Sequence, residues 1–130
     1  MDSPREIRIL VVDDSGATRE MIRAGLSLHG YTVSVAQNGK EGLETFLKIQ
    51  PHAVICDLYM PEMDGIAFCR ALRQQGFKTP LLFLTSDQSP YRMTEGMASG
   101  ADVYVTKPVD SNALHRHLQD LLKRSSPDPS

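Results

Sequence analysis

Hydrophobic and polar positions along this chain alternate between two spacings. Ile7–Val12 (IRILVV) is a short apolar, β-branched run, interrupted only by Arg8, that stops abruptly at Asp13-Asp14, as a buried parallel strand does. Ala17, Met21, Ala24 and Leu28 then recur at helical spacing from about Gly16 to His29, and Gly30 supplies a stop. The same alternation repeats to the end of the chain. Thr32–Ala36 predicts a second strand, and Asn38 with Glu41 reads as a capping box for a helix that places Leu43, Phe46 and Leu47 on one face. Ala53–Cys56 ends at Asp57, and the proline in LYMPEMD forces a loop before Gly65. Ile66, Cys69 and Leu72 stripe a third helix ending near Gly76, with Asp64 as its candidate cap. Leu81–Leu84 is closed by Thr85-Ser86, and Ser89-Pro90 reads as N-cap and first position of a helix running to about Ser99. Met93 and Met97, like Met21, fall on helical apolar faces where core packing is the expectation. Val103–Val105 is closed by Lys107-Pro108, and Leu114, Leu118, Leu121 and Leu122 stripe a last helix from about Ser111 to Lys123. Residues 1–124 therefore read as the folded unit, with SSPDPS at 125–130 as a frayed end or linker.

Five strand-helix units with short connections imply an α/β fold: a doubly wound parallel sheet with helices on both faces, three layers in all. Ligands in such sheets sit beyond the carboxyl ends of the strands. At those ends the sequence sets Asp13, Asp14, Asp57, Thr85 and Lys107. Three crowded carboxylates repel one another unless a cation compensates them, and Mg²⁺ or Mn²⁺ takes oxygen donors of this kind. With that charge neutralised, the Asp57 carboxylate is placed to attack phosphorus. Lys107 offers a compact positive charge to phosphoryl oxygens, and Thr85 a hydroxyl.

Composition narrows the class. A chain of 130 residues that is 41% hydrophobic is long enough for one domain with a core of its own. A net charge of -2 and a pI near 6.0 leave no basic footprint for nucleic acid. Cys56 and Cys69 lie outside any CxxC pattern within apolar segments, so buried reduced thiols are expected. His115 and His117 are two apart on a helix and do not share a face, so they read as solvated, and His29 and His52 as surface residues. Arg92, Arg116, Lys123 and Arg124 read as a solvated face. The first residues lack a signal-peptide pattern and no apolar run reaches membrane-spanning length, which predicts a soluble cytoplasmic chain with no membrane partner.

The segments VVDDS, CDLYMPEMDG, FLTS and YVTKP, in this order at the ends of the predicted strands, resemble the receiver domains of two-component response regulators, chemotaxis regulators among them. The resemblance covers nearly the whole chain. It implies a flavodoxin-like five-stranded sheet of order 2-1-3-4-5, and phosphorylation of Asp57 by a sensor histidine kinase or a histidine phosphotransfer protein. It further implies that Asp13, Asp57 and the backbone carbonyl of Tyr59 bind the metal directly and Asp14 through water. Thr85 and Lys107 would sense the phosphoryl group, beside a Ser86 small enough to leave it room. Tyr104 would act as a rotamer switch that changes the face built from the fourth helix, fifth strand and fifth helix, for a downstream protein, an attached output domain or a dimer partner. Pro108 would shape the turn that aims Lys107, often through a cis bond. Tyr59 and Asp87 would flank the path of the hydrolytic water; the first would obstruct it, the second orient it, and the sequence does not choose.

Two other classes fit less well. A phosphatase with an aspartate nucleophile wants a DxD strand end, whereas Asp57-Leu58-Tyr59 lacks the second acid. A flavodoxin-like cofactor module needs a phosphate loop after the first strand, where Asp13-Asp14 would repel phosphate. A regulatory phosphoacceptor, rather than a turnover enzyme, is the expectation.

Overall fold

In a computed structural model, residues 6–125 are described. They form β1 (Arg8–Val12), α1 (Gly16–Leu28), β2 (Thr32–Ala36), α2 (Gly39–Ile49), β3 (Ala53–Cys56), α3 (Gly65–Gln74), β4 (Leu81–Thr85), α4 (Pro90–Ala98), β5 (Val103–Thr106) and α5 (Ser111–Ser125). All five strands are parallel, in the order β2-β1-β3-β4-β5. The expected fold and strand order are both present. The tail beyond Ser125 lies outside the described residues.

Successive side chains of a strand point to opposite faces, so each central strand feeds two cores. Ile9 and Val11 of β1 pack with Ile22 and Leu26 of α1 and with Leu114, Leu118 and Leu121 of α5. Leu10 and Val12 face the other way, against Phe46 of α2 and Phe68, Cys69 and Leu72 of α3. Both cysteines are buried free thiols, and burial raises their pKa values, that of Cys56 strongly. Capping follows the sequence closely: Asn38, Asp64 and Ser89 each accept a backbone N–H three residues on.

The faces of α1, α2 and α4 differ from expectation. Ala17, Met21, Ala24 and Leu28 are all exposed, Leu28 at 89%, while α1 buries Ile22 and Leu26. Two apolar stripes run along this helix about one residue apart, and the buried one is set by packing on the sheet at Ile9 and Val11 together with α5. A Cβ on Gly25 would stand 2.2 Å from Ser111 Oγ, so that side of α1 faces α5. Leu47 of α2 is also exposed, beside a buried Phe46. Met93 and Met97 are exposed as well, because α4 turns Gly96 to the sheet, where a Cβ would stand 3.3 Å from the Phe83 ring and 3.4 Å from the Tyr104 ring.

His115 is not a solvated residue. Its Nδ1 lies 2.9 Å from the Tyr31 hydroxyl and its ring stacks on His29 at 4.1 Å, joining the end of α1 to α5. His52 accepts the Arg8 backbone N–H at 2.9 Å and so pins the start of β1. Among the described residues, no helix is long and apolar enough to cross a membrane.

Candidate functional site

Strand register brings the polar strand ends together. Val12 pairs with Cys56 and Thr85 with Thr106, so Asp13 and Asp57 leave adjacent strands at one level, and Thr85 and Lys107 leave the next pair. Backbone bonds extend that alignment past the strands: Asp57 N–H donates to Val12 at 3.0 Å and Lys107 N–H to Thr85 at 2.8 Å. One carboxylate oxygen each from Asp13, Asp14 and Asp57 lies within 4.8 Å of the others. The Lys107 ammonium stands between two of them, 3.1 Å from Asp13 Oδ2 and 3.5 Å from Asp57 Oδ2. The Lys107-Pro108 peptide is cis.

Asp13 is buried, and an isolated buried carboxylate would cost several kcal/mol. Burial pushes its pKa upward; the Ser15 N–H at 2.9 Å and the Lys107 ammonium pull it back, while the Asp57 charge adds to the rise. A cation beside Asp13 would relieve the same strain. Three clustered carboxylates, one of them buried, form a hard-oxygen donor set that fits Mg²⁺ or Mn²⁺.

Asp57 is fixed from behind. Its Oδ1 accepts the Leu58 N–H at 2.7 Å, which leaves Oδ2 facing Lys107. The loop after it folds back so tightly that the Gly65 N–H donates to Leu58 at 2.8 Å, and a Cβ on Gly65 would lie 2.0 Å from the Asp57 carbonyl oxygen. Thr85 is buried; its hydroxyl accepts the Asp87 N–H at 3.4 Å. Ser86, next to it, is exposed.

A second layer lines the rim. The Tyr59 hydroxyl donates to Asp87 Oδ2, so the carboxylate holds the Tyr59 pKa up and the hydroxyl holds the Asp87 pKa down. Arg92 of α4 donates to the Tyr59 hydroxyl at 3.0 Å and lies over its ring, with Cζ 5.2 Å from the centroid. Glu95 holds Arg92 at 2.5 Å. Tyr104 packs edge-on against Phe83 and donates its hydroxyl to the Asp87 carbonyl at 2.7 Å.

Every polar strand end singled out in the sequence thus converges on one edge. Three further participants are not polar strand ends. Arg92 reads as a solvated charge, yet it is bound to Tyr59 through a contact 33 positions distant in the chain. Arg19 of α1 donates to the Asp13 carbonyl at 2.7 Å, and Gly65 supplies the clearance behind Asp57. Among these, only Gly65 had a local cue, a glycine directly after a helix cap.

Comparison with known proteins agrees with this geometry. Residues 9–119 match the family described as response regulator receiver domain. Response regulator MprA of Mycolicibacterium vanbaalenii is 43% identical over 122 residues, which are 94% of this chain and 53% of that protein. The chain spans about half the length of the curated relatives it matches. Chemotaxis protein CheY4 of Vibrio cholerae superposes with a TM-score of 0.85 at 37% identity, over 90% of this chain and 99% of that one. The receiver domain of Francisella response regulator 1452 gives 0.87 at 31% identity, over 93% and 100%. With the match running from β1 into α5 and taking in all five polar residues at the strand ends, the chain belongs to the response regulator receiver domain family of two-component signalling.

Proposed function

We propose that Asp57 is the phosphoacceptor of this receiver, taking a phosphoryl group from the phosphohistidine of a sensor histidine kinase or histidine phosphotransfer protein. The observation that carries this reading is the pairing of Asp57 Oδ2 and the buried Asp13 with one ammonium, Lys107, inside a cluster of three carboxylates. In the transfer, an Asp57 oxygen bonds to phosphorus as the bond to the imidazole nitrogen breaks, and the ring nitrogen takes a proton. The oxygen of Asp57 not tied to Leu58 is the one that faces Lys107, which favours it as the attacking atom.

Asp13, Asp14, Asp57 and the Tyr59 backbone carbonyl would hold Mg²⁺ or Mn²⁺, which neutralises charge on the phosphoryl oxygens and the carboxylates. Lys107 then exchanges part of its carboxylate contact for phosphoryl oxygen, and the Thr85 hydroxyl donates to the same group, beside the small Ser86. Movement of Thr85 would be felt by Tyr104, two residues before Thr85's register partner Thr106 on the neighbouring strand, and so by the face of α4, β5 and α5. That face would address a downstream protein, an attached output domain or a second copy of the chain, with no nucleic acid bound by this domain alone. The role is regulatory and cytoplasmic, and chemistry is confined to phosphoryl uptake and loss. Incubation with acetyl phosphate should add one phosphoryl group in the presence of Mg²⁺ and none after chelation or in Asp57→Asn. Uptake that survives both changes would sink the reading.

A further inference from the structure

Sequence left Tyr59 and Asp87 with opposite candidate roles, and the surroundings of the two side chains separate them. Asp87 has both carboxylate oxygens engaged: Oδ1 accepts the Ser89 N–H at 2.8 Å, and Oδ2 accepts the Tyr59 hydroxyl. Its backbone carbonyl is taken too, by the Tyr104 hydroxyl. A carboxylate bound in this way is poorly placed to align a water or to receive its proton. Tyr59 is held from the other side by Arg92, through a hydrogen bond to the hydroxyl and the guanidinium stacked on the ring. The Arg92–Glu95 ion pair anchors that guanidinium to α4. The Tyr59 side chain therefore spans from the loop that follows Asp57 to the loop that follows Thr85, clamped at its tip and on its face.

We infer that Arg92 is a positioning residue that clamps Tyr59 across the mouth of the site and prolongs the life of the phosphoryl group. This rests on Asp57 as phosphoacceptor. Hydrolysis requires a water oxygen to bond to phosphorus opposite the Asp57 oxygen as that P–O bond breaks. The water's proton passes to solvent or to the departing phosphate, and the Asp57 carboxylate is restored. A Tyr59 ring fixed beside that line narrows it, and a tethered Asp87 gives no help in deprotonation. Both effects slow the same step. Removing the Arg92 guanidinium leaves the Tyr59 hydroxyl tethered by its hydrogen bond to Asp87, and the ring can then swing away from that line.

The test uses the full chain, loaded with acetyl phosphate and Mg²⁺, stripped of donor, and followed by release of inorganic phosphate. Because the clamp is an exposed cation–π contact with a hydrogen bond, Arg92→Ala should release phosphate about two- to fivefold faster than wild type, with an unchanged rate of uptake. Arg92→Ala placed in a Tyr59→Ala background should change the decay by less than about 1.5-fold, since the two side chains act as one unit. Decay of Arg92→Ala at or below the wild-type rate overturns the inference, as does an Arg92 effect that persists without Tyr59, which would mean that Arg92 acts through the integrity of α4. Wild-type protein that takes up no phosphoryl group would overturn the phosphoacceptor reading itself, and the clamp with it. Normal wild-type uptake with unaltered decay in the variant would remove only the clamp.

Discussion

The floor and the rim of this site are built from different materials. Asp13 and Thr85 on the floor are 3% and 1% exposed and project from paired strands, whereas Tyr59 on the rim is 46% exposed and is held by side chains alone. On the floor a displaced group has nowhere to go, because backbone bonds between strand ends fix each position and a buried carboxylate left without partners is costly. On the rim, water replaces any lost contact, and exposed pairs of this kind contribute on the order of 1 kcal/mol or less. The floor thus decides whether phosphoryl chemistry occurs, and the rim adjusts how long its product lasts.

The comparison can be broken most severely at Gly65. An alanine there sets its Cβ 2.0 Å from the Asp57 carbonyl oxygen and 3.0 Å from the Phe83 ring. Gly65→Ala should lower stability by about 1–3 kcal/mol, seen as a fall in the urea midpoint, and should displace Asp57. An unchanged midpoint would show that the floor yields as easily as the rim. Next in size is Lys107→Met, which removes the one ammonium shared by Asp13 and Asp57. Uptake from acetyl phosphate should slow roughly tenfold, and the Asp13 carboxyl should titrate higher than in wild type, read by carbon NMR. The rim predicts smaller numbers: Tyr59→Asn should shorten phosphoryl lifetime about two- to fivefold and leave uptake alone. A larger change, or one in uptake, would move Tyr59 to the floor.

The smallest effect lies at the opposite end of the sheet. Burial, the neighbouring His29 and the charge of Arg116 hold the His115 pKa below its usual value. The unfolded chain therefore binds the proton more readily than the fold does, and stability is full above the ordinary histidine pKa of about 6.5. It should decline slightly as pH falls from there through the lower folded pKa, and His115→Gln should flatten that decline in a urea titration. An identical slope in the variant would place the pH response elsewhere.

The floor was legible because each of its groups ends an apolar run, and parallel pairing converts a run's end into a position on one edge. Asp13, Asp57, Thr85 and Lys107 needed only that rule. The rim and the helix faces needed three-dimensional information. In α1 the stripe of Met21 and Leu28 lies beside that of Ile22 and Leu26, and the second is selected by its packing on β1 and by the approach of α5 at Ser111 and Gly25. Arg92 has no local mark distinguishing it from a solvated cation, since its partner Tyr59 belongs to another loop. The stack of His29 on His115 joins the end of α1 to α5 and was equally silent in sequence.

The central claim, that the floor delivers Asp57 to phosphorus, is tested most directly by trapping the product. Borohydride reduces an aspartyl phosphate to homoserine. After treatment with acetyl phosphate and Mg²⁺, peptide mass spectrometry should find homoserine at position 57 and aspartate at positions 13 and 14. Homoserine at either of those positions, or aspartate retained at 57 in protein that carries a phosphoryl group, would contradict the account.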